Sequence, residues 1–75
     1  MVTKFIIELT HNRLEGADIL YYIGQAGTVP VLDYRKAKAK RYTFEHEAIH
    51  DMNILRAMYK ISTDTFKVIS IRCRA

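Results

Sequence analysis

The stretch TFEHEAIHDMNILRAMY, residues 43 to 59, decides the fold class of this chain. Phe44, Ala48, Met52, Leu55 and Tyr59 recur every three or four residues, which lines one apolar stripe along a helix. Thr43 stands where an N-cap belongs, since a hydroxyl there accepts from the unpaired N–H groups of the first turn. Glu45 and Glu47 suit the positive end of the helix dipole. The reading is one amphipathic helix from about Phe44 to Tyr59, broken by Ser62-Thr63-Asp64.

Working outward, the rest reads as strands. In KFIIELT, Phe5, Ile7 and Leu9 alternate with Lys4, Ile6 and Glu8, a strand pattern. HNRLEGAD is polar and reads as a loop. ILYYIG is rich in β-branched and aromatic residues and reads as a second strand. GQAGT sits at a hairpin turn. VPVLDY is a third strand, and Pro30, with no N–H to donate, places it at an edge or at a strand start. FKVISIRC is the last. The order is β-β-β-α-β. The expected fold is α+β, a small antiparallel sheet of three to four strands with one helix packed on one face, in a single domain over residues 1–75.

One helix covers one face of a sheet. Several strands carry apolar residues on both faces, so a second apolar face is expected to stay open and to serve as an interface. Ile6, Leu20, Tyr22 and Leu32 are the expected partner-binding residues, with Tyr22 the candidate exposed ring. A two-fold homodimer is the simplest way to cover such a face.

Composition narrows the class further. Hydrophobic residues make up 49% of the chain, which suits a folded globule rather than a disordered segment. A lone cysteine, Cys73, forms no internal disulfide, and nothing resembles a signal peptide or a membrane span. The expectation is a cytoplasmic protein without membrane contact. The formal charge of +4 permits an acidic partner without requiring one.

Residues 46 to 50, His46-Glu47-Ala48-Ile49-His50, match H-E-x-x-H, the zinc-binding helix of metalloproteases. Histidines at i and i+4 share a helix face, but a catalytic zinc also needs a third protein ligand and a shielded cavity. The apolar stripe turns His46 and His50 to the far side of the helix, toward solvent. Position 53 is Asn and position 56 is Arg, so no extended motif supplies the third ligand. Asp51, Asp64 and His11 are candidates without a recognisable spacing. The expectation is therefore a protein that is not an enzyme and needs no cofactor. A minimal zinc hydrolase through His46, Glu47 and His50 is the remote alternative.

The run YRKAKAKRY carries five cations, Arg35, Lys36, Lys38, Lys40 and Arg41, between Tyr34 and Tyr42. Cations neutralise phosphates and exposed rings stack on bases, so the stretch is a candidate nucleic-acid contact. The alternation of Lys36, Lys38 and Lys40 with Ala37 and Ala39 equally suits a solvated edge whose lysines block strand-to-strand aggregation. Arg72 and Arg74 add charge near the last residue of the chain.

AKAKRYTFEHEAIHDM followed by FKVISI is similar in plan to small phage and prophage accessory proteins, over Ala39 to Ala48 and Phe66 to Ile71. That resemblance implies a stoichiometric binder in the host cytoplasm that inhibits or redirects a polymerase, a nuclease or a defence complex. It carries over no catalytic residue. The leading expectation is a non-enzymatic protein-binding module, with nucleic-acid binding through residues 35–41 as the alternative.

Overall fold

The computed structural model describes residues 1–58 and 64–74. Strands β1 (Val2–Arg13), β2 (Gly16–Ala26) and β3 (Val29–Asp33) are followed by a 3-10 turn (Lys36–Lys38), helix α1 (Glu45–Met58) and strand β4 (Asp64–Cys73). The strands form one antiparallel four-stranded sheet in the order β3-β2-β1-β4. This is the β-β-β-α-β, α+β fold that the hydrophobic periods predict. β3 and β4 lie at opposite edges, so the segment holding α1 carries the chain from one edge to the other. The helix packs on β1 and β4. Pro30 sits on an edge strand, where its missing donor costs no ladder bond. Among the described residues no helix is long and apolar enough to cross a membrane.

The first hairpin is longer than its polar sequence suggests. HNRLEGAD reads as a loop, yet His11–Arg13 and Gly16–Asp18 continue the ladder, leaving Leu14 and Glu15 as the connection. Polar residues are tolerated because this end of the ribbon projects into water, and Arg13 pairs with Asp18 across it at 3.1 Å. The second hairpin closes through Gly27 and Thr28, with Gly27 at φ +65°, a conformation in which other residues are strained. A register shift between Tyr22 and Gly24 leaves Ile23 as the extra residue of a β-bulge.

The core forms between the sheet and α1. Ile7, Leu9, Tyr22, Tyr42, Ala48, Met52, Leu55 and Phe66 make one buried cluster, with Phe5, Leu20, Leu32 and Val68 packed against it. Full burial of an aliphatic or aromatic side chain contributes about 1.5–3 kcal/mol, so this small cluster supplies most of the driving force. Ala48, Met52 and Leu55 are the stripe residues that reach it. Phe44 is not one of them: it precedes the first helical residue, is 58% exposed, and stacks on His46 with ring centroids 5.6 Å apart. Thr43 does not cap the helix either. Its Oγ1 accepts from Lys4 Nζ at 3.1 Å, and the Phe44 carbonyl accepts the N–H groups of Glu47 and Ala48. Tyr59, the last expected stripe residue, and the expected breakers Ser62 and Thr63 lie outside the described residues.

The run RKAKAKRY forms a 3-10 turn and a connecting segment and not an edge strand. After the 3-10 turn it threads the gap where β1 and β2 part. Lys40 N–H donates to the Tyr22 carbonyl at 2.9 Å, and Tyr42 exchanges two backbone bonds with Phe5 at 2.9 and 2.8 Å. Beyond Glu8 toward its start, β1 has no β2 partner. The inserted segment satisfies backbone groups there that would otherwise be unpaired.

Candidate functional site

Three features compete for function: the H-E-x-x-H face of α1, the face of the sheet away from α1, and the basic run.

On α1, both histidines are exposed, as the helix phase predicts. His46, Glu47, His50 and Asp51 line an open cleft of about 720 Å³ together with Lys40, Arg41, Tyr42 and Thr43. At its base the Tyr42 hydroxyl donates to Asp51 Oδ2 at 2.6 Å, and Lys40 Nζ stands 3.8 Å from the same oxygen. Lys40 also lies over the Tyr42 ring, 5.1 Å from its centroid. Burial, then the hydrogen bond to Asp51 and its charge, push the Tyr42 hydroxyl far above the usual phenol range. The phenol stays a donor, and Asp51 is engaged by two partners. That arrangement ties the inserted segment to the helix. It also occupies Asp51, the nearest of the three candidate third ligands in sequence. His11 stands toward the far end of β1, in register with Asp18 and Asp64, and the side chain of Asp64 lies outside what is described. Among the described residues, no three His, Cys, Asp or Glu side chains are grouped to hold a metal ion.

The open face of the sheet follows from the register. Ile7 and Leu9 face α1, so Lys4, Ile6, Glu8 and Thr10 face away. Residues directly opposite one another across a ladder share a face. Ile71 lies opposite Lys4, Ile69 opposite Ile6, Lys67 and Tyr21 opposite Glu8, and Ile19 opposite Thr10. Lys67 and Glu8 form an ion pair at 3.3 Å. This register corrects the expected interface residues. Leu9 opposes Leu20 and Tyr22 opposes Leu32, so Leu20, Tyr22 and Leu32 all lie on the helix side. Tyr22 is 4% exposed and belongs to the core, so it is not the exposed ring, and Leu20 and Leu32 pack against that core. Only Ile6 of the four is on the open face, and it is 0% exposed at the centre of the sheet. Among the apolar residues that water reaches there are Ile19, 47% exposed, and the half-buried Tyr21, Val31, Ile69 and Ile71. Alternation in the sequence could have found them as a group. Nothing in it said which of two alternating sets the helix would cover.

The basic run is divided by its neighbours. Arg35 forks onto Asp33, with Nε and Nη2 each 3.2 Å from a carboxylate oxygen and its own N–H at 2.8 Å. Those bonds hold the Asp33 carboxyl below its ordinary range, and the charge of Lys38 adds to the effect. Lys40 is engaged with Asp51. Of the five candidate cations, Lys36, Lys38 and Arg41 form no ion pair among the described residues, Lys38 acting on Asp33 only through its charge. Of the two flanking rings, Tyr34 is exposed and Tyr42 is buried.

No family model, curated protein or solved structure matches this chain.

Proposed function

We propose that the protein is a non-enzymatic binding module that works by stoichiometric protein contact through the open face of its sheet. The observation that carries this reading is the set Ile19, Tyr21, Val31, Ile69 and Ile71, which stand partly exposed on the face that α1 does not cover. Apolar side chains left partly exposed on an uncovered sheet face suit an interface. At about 25 cal/mol per Å², covering a few hundred Å² is worth several kcal/mol before the costs of association. The face also carries both signs of charge in its Glu8–Lys67 pair. A two-fold axis brings such a pair against its own copy in self-complementary fashion, so the first partner proposed is a second copy of this chain. We also propose, as the resemblance read in Ala39–Ala48 and Phe66–Ile71 implies, a phage accessory role in which a further protein exchanges for the second copy.

Sedimentation velocity across a wide concentration range tests the reading. The parent is expected to associate reversibly at micromolar concentration. Ile69→Lys and Ile19→Lys are expected to give folded monomers with an unchanged circular dichroism spectrum. A parent that stays monomeric throughout, or Lys variants that associate as the parent does, would remove the open face as the contact surface.

A further inference from the structure

We infer that the outer edge of β4, from Val68 to Arg72, accepts an extended acidic segment of a partner protein as a further strand of the sheet. In an antiparallel strand both backbone groups of a residue point to one side, and the side alternates along the chain. Phe5 exchanges its backbone bonds with Tyr42, on the side of β1 away from β4. Lys4, Ile6 and Glu8 therefore turn theirs toward Ile71, Ile69 and Lys67. The alternate residues Phe66, Val68, Ser70 and Arg72 turn N–H and C=O outward. The Phe66 carbonyl agrees with this direction, since it accepts from Arg56 Nη2 at 3.0 Å. The outward groups of Val68, Ser70 and Arg72 have no partner among the described residues. Such a row is a template for another strand, and edges are ordinarily blunted by shortness, proline or a bulge. At the other edge, β3 is five residues long and contains Pro30. In contrast, β4 has ten residues, no proline or glycine, and an unshifted ladder with β1. Its lysine, Lys67, is drawn back to Glu8 on β1.

Charge selects the occupant. From Thr65 to Arg74 the chain carries Lys67, Arg72 and Arg74 and no carboxylate. Arg72 and Arg74 are exposed and form no ion pair among the described residues. Lys36 and Arg41 line the depression beside Ser70, Ile71 and Arg72, again without a carboxylate. These cations need not meet at one point. The side chains of an added strand alternate between the two faces, so carboxylates on either face find a positive neighbour. An antiparallel segment sets its first residues opposite Arg74 and Arg72, where acidic side chains fit, and its later ones opposite Ile71, Ile69 and Val68, where β-branched side chains fit. A second copy of this chain fits less well. In the register that pairs Val68, Ser70 and Arg72 with one another, Lys67 of one copy stands opposite Cys73 of the other, between Arg72 and Arg74. Registers centred nearer the start of β4 meet Arg56 on the Phe66 carbonyl. An added strand lies beside Ile69 and Ile71 and widens the open face without covering it, so this contact does not rest on the one proposed above.

Amide hydrogen exchange read by NMR tests the edge. In the free protein the Ile69 and Ile71 amides, bonded to β1, are expected to be protected, and those of Val68, Ser70 and Arg72 to exchange fast. The probe is a blocked peptide that begins with glutamates and continues in alternating valine and threonine. Added at about ten times its Kd, it is expected to slow exchange at Ser70 and Arg72 about tenfold. The same peptide with lysine in place of glutamate is expected to bind about tenfold more weakly. Ser70→Pro removes only an outward N–H, which an edge strand tolerates, and is expected to keep the circular dichroism spectrum and lose the binding. Methylating alternate backbone nitrogens of the peptide makes the same break from the ligand's side, with the parent protein intact, and is expected to abolish binding. Ile19→Lys, on the open face, is expected to bind the peptide within about twofold of the parent. Ser70 and Arg72 amides already protected in the free protein would mean that its own chain or a second copy holds the edge, and would overturn the inference. So would equal binding of the lysine peptide, binding that survives methylation, or binding lost in Ile19→Lys.

Discussion

Ile6 and Ile7 are neighbours on β1, both fully buried, and they face opposite sides of the sheet. Ile7 joins Leu9, Tyr22 and Phe66 under α1 in a cluster closed by Ala48, Met52 and Leu55. On the other side, Ile6 is screened at the middle of a face whose outer members, Ile19 and Tyr21, still meet water. The strand chemistry is alike on the two sides, and the difference lies in what lies over it. A helix laid across one face turns an apolar stripe into a core. The same stripe without a helix becomes a surface that a second molecule can cover. Stability and binding are therefore expected to respond to different residues, separated by the alternation of a strand.

The sharpest way to break that division is to place a charge on each side. Leu55→Asp is expected to unfold the domain, because an unpaired carboxylate in the core costs several kcal/mol, close to the whole stability of a chain this small. Asn53→Asp, on an exposed position of the same helix, is expected to leave the thermal transition within a few degrees of the parent. Equal melting of both variants would mean that the helix does not close the core through Ala48, Met52 and Leu55.

A smaller effect is expected where the inserted segment meets the helix. Tyr42→Phe removes the 2.6 Å bond to Asp51 and is expected to cost about 1 kcal/mol in denaturant unfolding. Its pH dependence carries the sign. The folded-state phenol titrates above its unfolded value, so its contribution is complete below about pH 10 and declines as the pH rises past that point. The parent is therefore expected to lose stability in strongly alkaline solution more steeply than Tyr42→Phe. Parallel alkaline profiles for the two proteins would show that Tyr42 does not contribute this dependence.

The smallest effect is expected on the exposed side of α1. His46→Ala removes a solvated ring stacked on an exposed Phe44, and the change in stability is expected to stay within about 0.5 kcal/mol. Zinc added at one equivalent is expected to leave the melting temperature of the parent unchanged. A large zinc-dependent rise, lost in His46→Ala, would show that His46 and His50 form a metal site after all.

The chain alone determined its element types and their order. A period of 3.6 in residues 45–58 and a period of 2 in the strands are local properties, set by which side chains share a face, and they need no knowledge of what packs where. The helical period also placed His46 and His50 in solvent, and the missing N–H of Pro30 placed it at an edge or a strand start. The tertiary structure alone decided which alternating set became the core. Turn lengths and the bulge at Ile23 set the ladder register, and the register put Leu20, Tyr22 and Leu32 on the helix side of the sheet. One residue of slip exchanges the two faces, and no local signal records it. The same holds for the basic run. Its charges are plain in the sequence, but which cations find a carboxylate depends on residues as distant as Asp51 for Lys40. Where the run lies is fixed by its long-range backbone bonds to Tyr22 and Phe5. Electrostatic pairing is set by distance in space, and a sequence lists its charges without those distances.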